Sequence, residues 1–298
     1  MKTVLALSAL FLSLSLSAQN ADSVKIKASD PTQIYTFVEA NAGISFLGQK
    51  FPGDFDTWEA GFRGTWGIKK FRIGVHLPVS SNQSSFEVFD DITLDAGFQI
   101  HNNSGIYNTT VIGAGFVSPS QDDAIYPLIW FQDLAIYPYS SSLNKFYFNY
   151  LGALTITEKL HFYPGIEWYQ RSNLQQSTFV LTDSIVYTTP SIFAYGFKFS
   201  GTLSYDFNPK NFLQLYSAWS SENWEGKYGD PELNTFYSDI VEKRFTMSLK
   251  YQYAITNYSQ TFVKVSFNKY SSSIFDIDND YQEPNLFSFQ LGFTYFLH

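Results

Sequence analysis

From about residue 34 to its end, the chain repeats with a period of two. In Trp58–Ile68 one set of alternate positions carries Trp58, Ala60, Phe62, Trp66 and Ile68, and the other carries Glu59, Gly61, Arg63, Thr65 and Gly67. After Lys69-Lys70 the pattern resumes with Phe71, Ile73, Val75, Leu77 and Val79 against Arg72, Gly74, His76 and Ser80. Successive side chains of an extended chain point to opposite faces, so this alternation predicts strands with one greasy and one polar face. The two-residue link between them predicts a hairpin. The chain closes in the same way: Phe287, Phe289, Leu291, Phe293, Tyr295 and Leu297 alternate with Ser288, Gln290, Gly292 and Thr294. No stretch shows a sustained helical period.

Twelve strands are predicted, at 34–47, 55–68, 71–80, 91–101, 106–117, 145–156, 160–172, 192–206, 212–220, 242–255, 260–268 and 286–297. Their connections alternate short and long. The short ones lie near 69–70, 101–105, 157–159, 208–211 and 256–257; the long ones cover roughly 48–54, 81–90, 118–144, 173–191, 221–241 and 269–285. Short turns on one side and long loops on the other, with an even strand number, are the plan of an antiparallel up-and-down barrel that spans a membrane. In lipid only a closed barrel satisfies every backbone N–H and C=O among strands. The greasy faces are therefore expected to meet lipid and to be free of charge, because an arginine or lysine at mid-bilayer costs about 2–4 kcal/mol.

Composition agrees. Aromatics make up 19% of the 298 residues and charged residues only 15%; aromatic side chains favour strands. The net charge of −8 argues against nucleic acid as a partner, which needs basic surface. There is no cysteine, hence no disulfide, thiolate metal site or lipidated cysteine. Lys2, the apolar run Val4–Leu16 and the small residues Ser17-Ala18 before Gln19 predict a cleaved secretion signal over 1–19. The expected organisation is then a periplasmic N-terminal segment at 20–33 and the barrel at 34–298. No later run reaches the roughly 18 apolar residues of a membrane-spanning helix.

The chain resembles the bacterial outer-membrane β-barrel proteins of Bacteroidota-like Gram-negatives. The residues most specific to the resemblance are Phe289, Leu291, Phe293, Tyr295 and Leu297, similar to the alternating C-terminal signal that the barrel-assembly machinery reads. This chain ends Phe296-Leu297-His298, where the usual signal ends on an aromatic residue. The resemblance implies outer-membrane localisation, with the assembly machinery, outer-membrane lipids and lipopolysaccharide as partners. It covers the signal and essentially all of residues 34–298.

The polar faces hold the candidate site. Glu59, Arg63, Arg72, His76, Asp95, Lys145, Glu167, Arg171, Lys198, Arg244, Lys250 and Lys264 are expected to line the lumen, with Glu39, Asp91, Asp206 and Glu242 beside them. Two readings follow: ion pairs that hold a narrow barrel rigid, or a constriction whose charges select solutes. About twelve strands lies between filled eight-stranded and open 16–18-stranded barrels. The apolar stretch Ala124–Pro138 is open to three readings: two extra strands, giving fourteen; a loop folded into the mouth; or a surface for a partner or greasy ligand. Phe179–Tyr187 predicts a projecting hairpin that turns at Thr182-Asp183-Ser184.

Asp276, Asp278 and Asp280 are spaced for a hard cation, but Tyr281 and Phe287 stand where an EF-hand needs glycine and glutamate. A solvated acidic loop is the expectation, with no resident metal and no cofactor. The four histidines include His76 and His161 on polar faces, and no nucleophile motif accompanies them. The expected function is passive passage or binding of small solutes through the lumen, without catalysis. The alternatives are a non-conducting barrel whose loops bind a partner, a transporter of hydrophobic solutes, or a lipid hydrolase.

Overall fold

The computed structural model describes residues 30–47, 56–81, 86–88, 92–101, 107–118, 143–173, 178–182, 185–188, 193–225, 240–272 and 285–297. They form β1 (Thr36–Leu47), β2 (Asp56–Ile68), β3 (Phe71–Ser81), β4 (Phe86–Val88), β5 (Ile92–His101), β6 (Tyr107–Ser118), β7 (Leu143–Thr155) and β8 (Leu160–Asn173). β9 (Thr178–Thr182), β10 (Ile185–Thr188), β11 (Phe193–Asn208), β12 (Asn211–Glu225), β13 (Ile240–Ala254), β14 (Ser259–Ser272) and β15 (Asn285–Leu297) complete them.

Twelve of these strands close into one antiparallel ring in the order β1, β2, β3, β5, β6, β7, β8, β11, β12, β13, β14, β15. The ends meet as expected: β15 runs against β1 from Thr36↔Leu297 to Leu47↔Leu286. β4 extends the ladder of β5 on β3. It pairs Val79↔Val88, and β5 takes over at His76↔Thr93, so five residues on one side pass three on the other. That step is even, so Val88 and Leu94 fall on the same face. β9 and β10 form a separate hairpin at the position the alternation predicted. β6 pairs directly with β7, at Phe116↔Phe146 and Val117↔Lys145. The ring therefore has twelve strands, not fourteen, and the apolar stretch 124–138 lies outside the described residues. Two predicted strands were too short: β12 runs on to Glu225 and β14 to Ser272.

The barrel is apolar outside and polar inside. Phe62, Ile73, Phe98, Phe148, Phe199, Leu249, Val265 and Leu291 are exposed on its outer face. Buried positions include Ser204, Ser248, Gln252, Gln260, Ser266, Asn268 and Thr294. A water-soluble β fold would reverse this, since burying polar groups while exposing a continuous greasy belt is unfavourable in water. Around the short-turn end the outer face carries Trp66, Phe71, Tyr205, Phe207, Tyr251, Tyr253 and Tyr295. Tyr205 and Phe207 pack edge-on at 5.0 Å, and the Tyr251 hydroxyl donates to Asn211 Oδ1. Aromatic rings with polar tips suit the membrane–water boundary.

The expectation of a charge-free outer face needs correcting. Asp56, Lys243 and Lys269 occupy outward register positions, opposite Phe46, Ser271 and Phe245. All three lie close to the long-loop ends of their strands, where the cost of a charge falls to about 0–1 kcal/mol.

The hairpin turn Lys69-Lys70 places Lys69 at φ 53°, the left-handed region that costs a residue with a Cβ about 1–2 kcal/mol. Lys69→Gly is expected to leave the barrel as stable or to stabilise it by up to about 1 kcal/mol, measured by urea unfolding of the refolded protein.

Candidate functional site

The structure directs the predicted polar faces inward. Arg63, Arg72, His76 and Asp95 line the wall from β2 to β5; Lys145, Glu167, Arg171 and Lys198 line β7, β8 and β11; Arg244, Lys250 and Lys264 line β13 and β14. Glu59 holds an inward register position opposite Gly43. Asp91, Asp276, Asp278 and Asp280 lie outside the described residues, and among the described residues no cluster of three or more His, Cys, Asp or Glu could hold a metal ion.

On one wall the charges are tightly paired. Lys145 Nζ lies 2.7 Å from Glu167 Oε1, and Lys198 Nζ lies 3.4 Å from Glu167 Oε2. Arg171 Nε lies 2.9 Å from Glu222 Oε1, and the Tyr169 hydroxyl donates to Glu222 Oε2 at 3.4 Å. The rings beneath them lie flat because the neighbouring strand offers glycine. A Cβ at Gly196 would fall 2.6 Å from Tyr169 Cζ, and one at Gly115 only 2.2 Å from Tyr147 Cζ. Lys145 Nζ sits 4.3 Å above the Tyr169 ring, a cation–π contact. This wall is built as a brace: Glu167 serves two lysines on opposite neighbouring strands. Glu167→Ala is expected to destabilise the refolded barrel by about 1.5–3 kcal/mol, the value of charge-assisted hydrogen bonds, in the same urea assay.

Across β13, β14, β15, β1 and β2 the arrangement is looser. The Phe262 ring lies over Gly292, where a Cβ would meet Phe262 Cζ at 2.1 Å. Lys250 Nζ lies 3.9 Å from the centre of that ring and reaches past two strands to within 4.0 Å of Glu39 Oε2. The Thr294 hydroxyl donates to the same carboxylate oxygen at 3.0 Å. Lys264 stands directly opposite Lys250. Arg63 Nη2 lies 4.0 Å from Asp95 Oδ2, and its guanidinium is 5.7 Å from the Phe37 ring centre. Nearer the long loops, Arg244 Nη2 donates to Asn268 Oδ1 at 2.9 Å, an acceptor shared with the Thr246 hydroxyl at 2.8 Å.

At the short-turn end, residues 30–35 fold into the barrel mouth. Asp30 Oδ1 accepts from Thr32 N at 2.9 Å and from Thr32 Oγ1 at 2.6 Å, a side-chain turn that compacts the segment. Thr32 is fully buried. Its carbonyl accepts from Gln99 Nε2 at 2.9 Å, and the Pro31 carbonyl accepts from Arg72 Nη1 at 3.3 Å. Tyr35 meets Phe296 edge-on at 5.6 Å. Asp30 also lies within electrostatic range of Tyr163 on β8, the strand facing β1 across the ring. His161 Nε2 lies 3.6 Å from Asp206 Oδ2 at this end. Ser204, paired opposite His161, is fully buried and its hydroxyl makes no hydrogen bond, so these residues form no exposed nucleophile–base pair.

Sequence reasoning missed Glu222, because the predicted strand stopped at residue 220, five short of the end of β12; the parity of Phe212, Gln214 and Ser220 would have placed it inside. It also missed the glycine beds under Tyr147, Tyr169 and Phe262. Their only signal was an aromatic residue on a polar face. The tie between Thr32 and Gln99 has no local signal at all.

No protein-family model and no curated protein matches the chain. Solved structures do match its fold. An outer membrane channel from Pseudomonas putida F1 is 12% identical with a TM-score of 0.53, covering 92% of this chain and 99% of that one. The KdgM porin in complex with disordered oligogalacturonate is 12% identical, with a TM-score of 0.44 and coverage of 88% and 99%. The NanC porin is 10% identical, with a TM-score of 0.46 and coverage of 87% and 98%. At such identities the likeness concerns the fold alone. Together with the apolar belt and closed ring, it makes this chain an outer-membrane β-barrel of porin-like architecture.

Proposed function

We propose that the barrel admits small solutes from outside the cell, by passive passage or binding in a lumen of mixed charge, and that it performs no catalysis. The observation that carries this reading is the direction of the charges. Among the described residues, every ion pair on the two walls points inward, where membrane anchoring alone needs none. The short turns would face the periplasm and the long loops the outside, as in barrels of this plan. Export by a cleaved signal over 1–19, and insertion by the barrel-assembly machinery reading Phe289 to Leu297, complete the proposal. Protein refolded into planar bilayers is expected to give discrete single-channel steps; persistent electrical silence would refute passage.

A second reading is a non-conducting barrel whose long external loops bind a partner. It is favoured by residues 30–35, seated in the short-turn mouth with Thr32 fully buried.

A further inference from the structure

We propose that the short-turn rim of the barrel is a docking surface for the phosphates of anionic phospholipids in the leaflet it meets. The inference goes beyond the lumen reading and does not depend on passage. In each of the four short turns among the described residues, the residue just before the next strand is tied to the neighbouring strand. The Lys70 carbonyl accepts from Gln99 N at 2.7 Å, that of Lys159 from Asp206 N at 2.8 Å and that of Lys210 from Ala254 N at 2.8 Å. The Tyr258 carbonyl accepts from Phe296 N at 2.7 Å. One repeated backbone position, fixed by the sheet, therefore carries lysine in three turns out of four, and Lys69 stands beside the first.

All four lysines are exposed, and Glu158 is the one carboxylate among the described residues of these turns. The other carboxylates at this end serve the mouth. Asp30 accepts from Thr32 and Gln33, and Asp206 Oδ2 lies 3.6 Å from His161 Nε2. The apolar belt reaches the turns themselves: Ile68 and Phe71, on either side of Lys69-Lys70, are 44% and 61% exposed. Ile156 and Phe207, each three residues before a rim lysine, are exposed as well. A lysine stem rooted beside such side chains lies along apolar surface, and its ammonium reaches the depth of the headgroup phosphates. The long-loop end differs. Its described outward positions hold two carboxylates, Asp56 and Glu225, with two lysines, Lys243 and Lys269. Charge of one sign is confined to the short-turn rim, and an anionic headgroup complements it.

The test uses the full chain, refolded into phosphatidylcholine vesicles that carry traces of spin-labelled lipid. The share of label immobilised at the protein surface gives the association of phosphatidylglycerol relative to phosphatidylcholine. A lysine at an anionic surface is worth about five-fold at its own site, so an average preference of about two-fold or more for phosphatidylglycerol is expected. The variant K69Q/K70Q/K159Q/K210Q is expected to remove that preference, and K69R/K70R/K159R/K210R to keep it. Potassium chloride at about 1 M should also remove it from the unaltered chain, because exposed charges are then screened. K243Q/K269Q should keep most of it. Equal association of the two lipids in the unaltered chain would overturn the proposal. So would a preference that survives the quadruple glutamine variant, or one that is lost in K243Q/K269Q instead. Capture of poly-L-glutamate by the protein in detergent, without any lipid preference, would assign the rim to an acidic macromolecule and overturn it too. Electrical silence in planar bilayers would refute passage and leave the lipid preference as expected.

Discussion

Leu291→Arg is expected to destabilise the refolded barrel by about 2–4 kcal/mol, the cost of a basic side chain facing the middle of a bilayer. Leu291 lies at the centre of β15, is 52% exposed, and is flanked on the outer face by Ala42 and Val263. Ser288, three residues away on the opposite face, lies between Ser45 and Ser266. Arginine there would join a polar wall, so Ser288→Arg is expected to cost much less. Urea unfolding in lipid vesicles measures both. Equal costs would mean that the two faces do not meet different solvents.

Removal of the N-terminal segment should have the largest effect on passage. A chain that begins at Ile34 lacks Asp30, Pro31, Thr32 and Gln33, and with them the contacts to Gln99 and Arg72. Single-channel conductance is expected to rise, because backbone is withdrawn from a mouth bounded by β3 and β5. Each lost hydrogen bond contributes only about 0.5–1.5 kcal/mol, so the twelve-stranded ring itself should survive, with an unfolding midpoint that is modestly lowered. Gln99→Ala, which removes one tether, should give an intermediate conductance. Unaltered conductance in both variants would show that the segment does not obstruct the path. Silence in the truncated chain as well would favour the partner-binding reading over passage.

The barrel was legible in the sequence because membrane strands obey a two-residue period that each solvent enforces separately. Trp58 to Ile68 and Phe287 to Leu297 could be assigned to faces without knowing any neighbour. Strand ends were less legible. Near the long loops the outer face leaves the hydrocarbon, so the pattern relaxes and admits Lys243 and Lys269. The same relaxation hid Glu222. The site was legible as a list of inward residues and illegible as an arrangement. Whether Lys250 meets Glu39 depends on barrel closure, which brings β13 near β1 across two strands. The flat rings of Phe262, Tyr147 and Tyr169 depend on which glycine falls opposite them, a matter of register rather than composition. Thr32 and Gln99 are 67 residues apart and meet only because the chain enters the mouth before β1 begins.

The central claim is an apolar face in lipid and a polar face on a water-filled lumen, and one scan tests it directly. The chain has no cysteine, so a single cysteine at each position from Leu286 to Leu297 accepts a nitroxide label at one place only. In vesicles, collision rates with oxygen, which concentrates in lipid, should peak at Phe287, Phe289, Leu291, Phe293 and Tyr295. Rates with a water-soluble nickel chelate should peak at Ser288, Gln290, Gly292 and Thr294. Alternation in the opposite phase, or chelate access on both faces, would contradict the account.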